Sequence, residues 1–193
     1  MPIQHHKTRI RIDDRYDAIQ RSSIASELIS VIRIRTDKGQ GVSGNPGSQG
    51  TFEGTKSFPG YSKDYIESKE FKLAGKSSAK VNLKLSSSMM NSLKLLNHGP
   101  GFIDIGYESG SKENAKAEGN IIGSYGRNAN ASKARNFLGI TGSELQAVLV
   151  NFPLPRDNRL QALAALGVIG LLTEDSEDKE FFLDLDINNL RES

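Results

Sequence analysis

Two short stretches of this chain imitate nucleotide sites. Gly39-Gln-Gly41-Val-Ser-Gly44 spells G-x-G-x-x-G, in which glycines let backbone amides approach a pyrophosphate. That pattern works between a strand and a helix N-terminus. Here a helical pattern precedes it and polar coil follows, so no dinucleotide site is expected. Gly75-Lys76-Ser77 copies the end of a phosphate loop, but the position of the required first glycine holds Glu70, whose charge repels phosphate. His5, His6 and His98 are not spaced with carboxylates as metal ligands are. The carboxylate pairs Asp13-Asp14, Asp104 with Glu108, and Asp184 with Asp186 could trade protons if buried together. Of these only Asp104 falls in a core strand, on the face opposite Ile103 and Ile105, where a solvated acid is expected. No Ser/His/Asp constellation assembles, and a hydrolase built on Asp104 with His98 is the remaining enzymatic alternative. No cofactor and no metal are expected.

The residues that stand out are cationic. Lys112, Lys116, Arg127, Lys133 and Arg135, with Tyr125 among them, surround the Gly/Asn/Ser-rich segment 119–135. A polar segment of that length in a compact domain is either a binding element or an arm that orders on a partner. Nucleic acid would use the cations for phosphates and the tyrosine for stacking. An acidic protein surface would order the same arm.

Composition bounds what can position such residues. The 193 residues suffice for one domain with a core plus a satellite segment. With 36% hydrophobic residues and 19 glycines, the chain is globular but rich in loops. The absence of cysteine removes disulfides and thiolate chemistry. The N-terminus has no apolar signal-like run. The apolar stretch 160–172 falls short of the roughly 20 residues of a membrane span. A soluble protein made in the cytoplasm, with no membrane partner, is expected. From Glu174 onward eight acids face Lys179 and Arg191, a balance of −6 that leaves +8 on residues 1–173. Self-shielding, head-to-tail contact between subunits and a merely solvated tail all fit this asymmetry.

Periodicity supplies the elements. Residues 9–12 read as an edge strand, and Asp13 or Asp14 as the N-cap of a helix through Ile34. Its apolar face comprises Ala18, Ile19, Ala25, Leu28, Ile29 and Ile32. Residues 39–60, with seven glycines, predict a mobile loop ordered only where Phe52 or Phe58 finds a pocket. Residues 61–70 are weakly helical and 71–73 a candidate strand. Val81, Leu83 and Leu85 alternate as a strand, followed by a helix over 89–96 and a turn at 98–101. Ile103, Ile105 and Tyr107 form a second strand, and a short helix follows. Thr141-Gly-Ser-Glu144 is a capping box for a helix with Leu145, Val148, Leu149 and Phe152 buried. Pro153 and Pro155 end it, and residues 158–172 predict an Ala/Leu-rich helix apolar almost all round, which needs a cover. The fold class is α+β, a small mainly antiparallel sheet with helices on one face, long glycine-rich loops and a C-terminal helical extension. Residues 1–152 form the domain and 153–193 the extension with its acidic tail.

Four segments then carry a resemblance: Ile32-Arg33-Ile34-Arg35-Thr36 ending the basic helix; VNLKLSSSMMNSLKLL; FIDIGY followed by ENAKAEGN; and KARNFLGITGSELQAVL. Over residues 15–152 the chain resembles the virion-morphogenesis and tail-completion proteins of tailed bacteriophages, the neck and head-to-tail joining group. Arg135, Phe137, Leu138 and Gly139 match that group's Arg-x-Phe-Leu-Gly signature. The chain departs from it in the long insertion 39–60 and in the segment after Pro153. The resemblance implies a non-enzymatic virion protein that forms a six-fold or twelve-fold ring of its own copies, joining head connector to tail. Neighbouring connector and tail proteins are the implied partners, and DNA threading the ring lumen a further one. A tail terminator and a nucleic-acid-binding module using residues 119–135 are the alternatives. The residues expected to touch subunits or partners are Tyr125, Arg127, Lys133, Arg135, Phe137, Leu138, Leu163, Leu166 and Ile169. Ordering of 39–60 and 119–135 on assembly would hold the free subunit back from early polymerisation.

Overall fold

The computed structural model describes residues 7–73, 75, 81–83, 88–124 and 130–154. The chain divides into Met1–Leu154 and Pro155–Ser193, and the second unit lies outside the described residues. The expected helix 158–172 and the acidic tail lie there too. Within the first unit the protein is α+β, with helices and two antiparallel sheets.

The strand β1 (Lys7–Arg11) alternates, with Thr8 and Ile10 inward and Arg9 and Arg11 outward. It is an edge strand of a three-stranded sheet of order β1-β5-β4, with β4 at Lys94–Gly99 and β5 at Phe102–Gly106. Both neighbours run antiparallel to β5. Helix α1 (Ala18–Asp37) packs on one face of this sheet. Its cap is Asp17 rather than Asp13 or Asp14. Asp17 and Gln20 form a reciprocal capping box, while Asp13 is held by the backbone and guanidinium of Arg15. Those bonds lower the Asp13 carboxyl to about 2. The buried stripe of α1 is Ile24, Ala25, Leu28, Ile29, Ile32, Arg35 and Thr36. Ile19, expected on that stripe, is 79% exposed, because the first turn precedes the packed surface.

The segment 39–60 is folded, which corrects the expectation of a mobile loop. β2 (Gln40–Ser43) and β3 (Gly54–Ser57) pair as an antiparallel hairpin. Its connection lies against β1: the Arg11 amide donates to the Gln49 carbonyl at 2.8 Å. At Gly50, with φ of +75°, any Cβ would overlap the Arg9 carbonyl oxygen. Here glycine content serves close backbone approach rather than disorder. Phe58 reaches the core, as its apolar character required.

The stretch 61–73 holds two short helices, α2 (Lys63–Glu67) and α3 (Lys69–Leu73), the latter in place of the expected strand. Tyr61, Tyr65 and Phe71 meet there with ring centroids 5.3–5.4 Å apart. The strand expected at 81–86 is not seen in its described part. Residues 81–83 are irregular, with Val81 buried, and 84–86 lie outside the described residues. The helix expected over 89–96 is also corrected. α4 (Ser88–Asn91) is a single turn, and Lys94 onward extends as β4. Arg33 of α1 explains the break, donating to the carbonyls of Met90, Asn91 and Leu93 and so satisfying the end of α4 from outside. Met89, Met90, Leu93 and Leu96 fit helical spacing, but so short an apolar run fits a strand as well. Pro100-Gly101 then turns β4 directly into β5.

Helix α5 (Lys112–Ile122) is capped by Ser111, and a 3₁₀ turn spans Ala131–Lys133. Helix α6 (Gly142–Leu149) opens on Thr141 and Glu144 in the expected reciprocal box, and buries Leu145 and Val148 against α1. The Tyr16 hydroxyl donates to the Phe152 carbonyl at 2.9 Å, tying the end of this unit beside the start of α1. None of the helices among the described residues is long and apolar enough to cross a membrane.

Gly139 lies under the Phe52 ring, where a Cβ would come within 2.7 Å of Cδ2 and closer still to Cε2. Gly139→Ala is therefore expected to lower unfolding free energy by about 1–3 kcal/mol through overpacking. In urea melts, adding Phe52→Ala should cost less on the Gly139→Ala background than on wild type, because removing the ring relieves the clash that Gly139→Ala introduces.

Candidate functional site

The segment that carries the signature, 135–144, threads between α1, the β2–β3 hairpin and α6. Its backbone is held from both sides. Asn136 O accepts from the Val42 amide, Ile140 O accepts from the Phe52 amide, and Phe52 bridges to Thr141. The third grip is Arg35, only 4% exposed, at the C-terminal end of the buried α1 stripe. Its guanidinium donates to the Phe137 carbonyl at 2.8 Å, the Gly139 carbonyl at 2.7 Å and the Glu144 carboxylate at 2.6 Å. The same Glu144 oxygen accepts from the Thr141 amide, so one carboxylate completes the α6 cap and neutralises Arg35. Burial lowers the Arg35 pKa, and Glu144 offsets this. Arg35 follows Leu28 and Ile32 at helical spacing, a placement that could have marked it as buried.

The second arginine of the segment, Arg135, is half-buried. Its amide donates to the Asn120 carbonyl at 2.8 Å. Its guanidinium lies 5.5 Å from the Tyr61 ring centroid and 3.4 Å from Asn120 Oδ1. Burial lowers its pKa, opposed by Tyr61 and Tyr65. Arg135 thus seals the Tyr61–Tyr65–Phe71 cluster onto α5.

The loop expected between Gly119 and Arg135 is shorter than its sequence implied. Residues 119–122 belong to α5, and the Asn130 amide returns to the Gly123 carbonyl at 3.0 Å, closing the base. Tyr125 and Arg127 lie outside the described residues, as do Leu163, Leu166 and Ile169. Lys133 ends the 3₁₀ turn, half-buried. Phe137 is fully buried against Tyr107 and Leu138 is 5% exposed, so both side chains serve the core rather than a partner. Of the expected contact residues, Phe137 and Leu138 lie in the interior and Arg135 is half-buried beside them in the chain.

Asp104 is a correction of a different kind. It is 1% exposed, not solvated, and its carboxylate receives two bonds from Arg9 at 2.7 and 2.8 Å, with Lys7 at 3.7 Å. It lies on the sheet face opposite α1, since Ile103 and Ile105 face the core. His98 is paired with Ile103 and contacts Arg21 of α1, so Asp104 and His98 project from opposite faces. The acid-base pair on which the alternative hydrolase reading rested is not assembled. Among the described residues no group of three or more His, Asp or Glu side chains could hold a metal.

No protein-family model, no curated protein and no solved structure matches this chain.

Substitutions at Arg35 and Asp104 test these buried charges. Arg35→Met removes the donor, leaving Glu144 without its counter-charge and two carbonyls without this partner, and should destabilise by about 3–5 kcal/mol in denaturant melts. Arg35→Lys should recover little, because an ammonium cannot fork to three acceptors in this geometry. Burial raises the Asp104 pKa, but the Arg9 bonds and charge, aided by Lys7, outweigh it and hold the carboxyl below its ordinary value of 3.8. The resulting stability is complete above that value and is lost as pH falls through it towards the depressed folded pKa. Thermal melts between about pH 5 and pH 2 should show a steeper acid limb for wild type than for Asp104→Asn.

Proposed function

We propose that this protein is a structural, ring-forming component of the neck or tail end of a tailed bacteriophage, joining the head connector to the tail. The observation that carries this reading is the use made of the Arg-x-Phe-Leu-Gly segment. Arg135 seals an aromatic cluster, Phe137 and Leu138 fill the core, and Gly139 admits Phe52. Each signature residue is spent on holding elements together, which suits a building block whose task is shape. Large apolar side chains remain outside: Ile19, Leu73 and Val150 are each more than three-quarters exposed. Such side chains are available to neighbours in an assembly. The hairpin 40–57 is folded in the subunit, so regulation by its ordering forms no part of this proposal.

Native mass spectrometry of the purified full chain, alone and mixed with the products of neighbouring genes, tests the reading. A closed ring of six or twelve copies, formed alone or on the connector, is expected. A chain that stays monomeric with every neighbour would contradict it.

A further inference from the structure

The face of the three-stranded sheet turned away from α1 has a composition unlike the rest of the surface. β1 presents Lys7, Arg9 and Arg11 there, β5 presents Phe102 and Asp104, and β4 presents Lys94 and Asn97. Arg9, Arg11, Lys94 and Asn97 are exposed. Asp104 is covered by the cations it holds, and Lys94 is paired with Glu108 at 3.2 Å. The one aromatic ring is capped, because the Arg9 guanidinium stacks 4.3 Å from the Phe102 centroid. Bidentate pairing through Nε and Nη2, with stacking on Phe102, fixes the Arg9 guanidinium, and Nη1 takes no part in the Asp104 pair.

We infer that this sheet face binds the phosphate backbone of duplex DNA. A protein partner needs apolar anchors to bury at the centre of its footprint, and Phe102 is already covered. Phosphodiester contact needs only cations, and such interfaces are more polar and more positive than those between proteins. Alternate residues of a strand lie about 6.7 Å apart, so Lys7, Arg9 and Arg11 form a row of about 13 Å. Duplex DNA carries one charge per ~1.7 Å of axis, so such a row meets phosphates without a fixed register or sequence. The face is distinct from residues 119–135, and the inference stands independently of the ring reading.

Fluorescence anisotropy with a labelled random duplex, titrated in salt with the full chain, tests it. Lys7→Gln/Arg11→Gln removes the longer Lys7–Asp104 contact but leaves both Arg9–Asp104 bonds in place, and should lower the melting temperature by a few degrees at most. It should flatten the plot of log affinity against log salt by about two phosphate contacts. The charge-conserving Lys7→Arg/Arg11→Lys should keep the wild-type slope. An unchanged slope in the glutamine pair would overturn the inference, as would a drop seen only in Lys133→Gln. A poly-glutamate peptide that displaces the duplex at lower charge concentration than unlabelled DNA does would overturn it in favour of an acidic protein partner.

Discussion

Arg35 is the constraint on which the arrangement depends. A guanidinium placed in the register of an apolar stripe has to be neutralised and hydrogen-bonded where it lies. The chain meets that requirement at both terminal amino groups, with two carbonyls of the closing segment and the carboxylate that also caps α6, while the buried Nε finds no acceptor. The bonds fix the path of residues 137–139 against α1, and that path in turn offers Asn136 and Ile140 carbonyls to the hairpin. Helix, closing segment and hairpin are thus linked in series, through one buried charge and its acceptors and then through the closing segment's backbone. Arg33 acts similarly two residues earlier, ending α4 through three carbonyls and freeing residues 94–99 to extend as β4.

This explains which parts of the fold were legible in the sequence. The capping box at Thr141, the alternation at Ile103 and Ile105, and the stripe of α1 are local patterns, and they appear where they were expected. The hairpin over 40–57 was not legible, because its two paired strands are short and the contacts that hold the hairpin from outside lie far away in sequence, at Arg11, Asn136 and Ile140. Glycine-rich composition alone reads as looseness, whereas Gly50 and Gly139 mark places where another backbone or ring comes close. The stretch 89–99 was ambiguous on periodicity, and a tertiary contact from Arg33 decided it.

The candidate site was legible in part. Phe137 and Leu138 were expected to touch subunits or partners, but their side chains are buried in the core, while Arg135 is half-buried beside Tyr61 and Asn120. Asp104 was placed on the correct face, yet its burial depended on Arg9 and Lys7 from a strand 95 residues away. That same pairing organises the cationic face of the sheet, a feature no single segment displays. The interior and the exposed sheet face thus divide the work: one buried arginine fixes shape, and a supported row of cations remains available outside.

The central claim is that the closing segment and the hairpin form one cooperative body with α1. Native-state amide hydrogen exchange of the wild-type chain addresses this directly. The account predicts that the Val42 and Phe52 amides, bonded to Asn136 and Ile140, exchange with the same opening free energy as the core of α1 around Leu28 and Ile32. Exchange of Val42 and Phe52 at rates near those of an unprotected loop, while α1 stays protected, would contradict it.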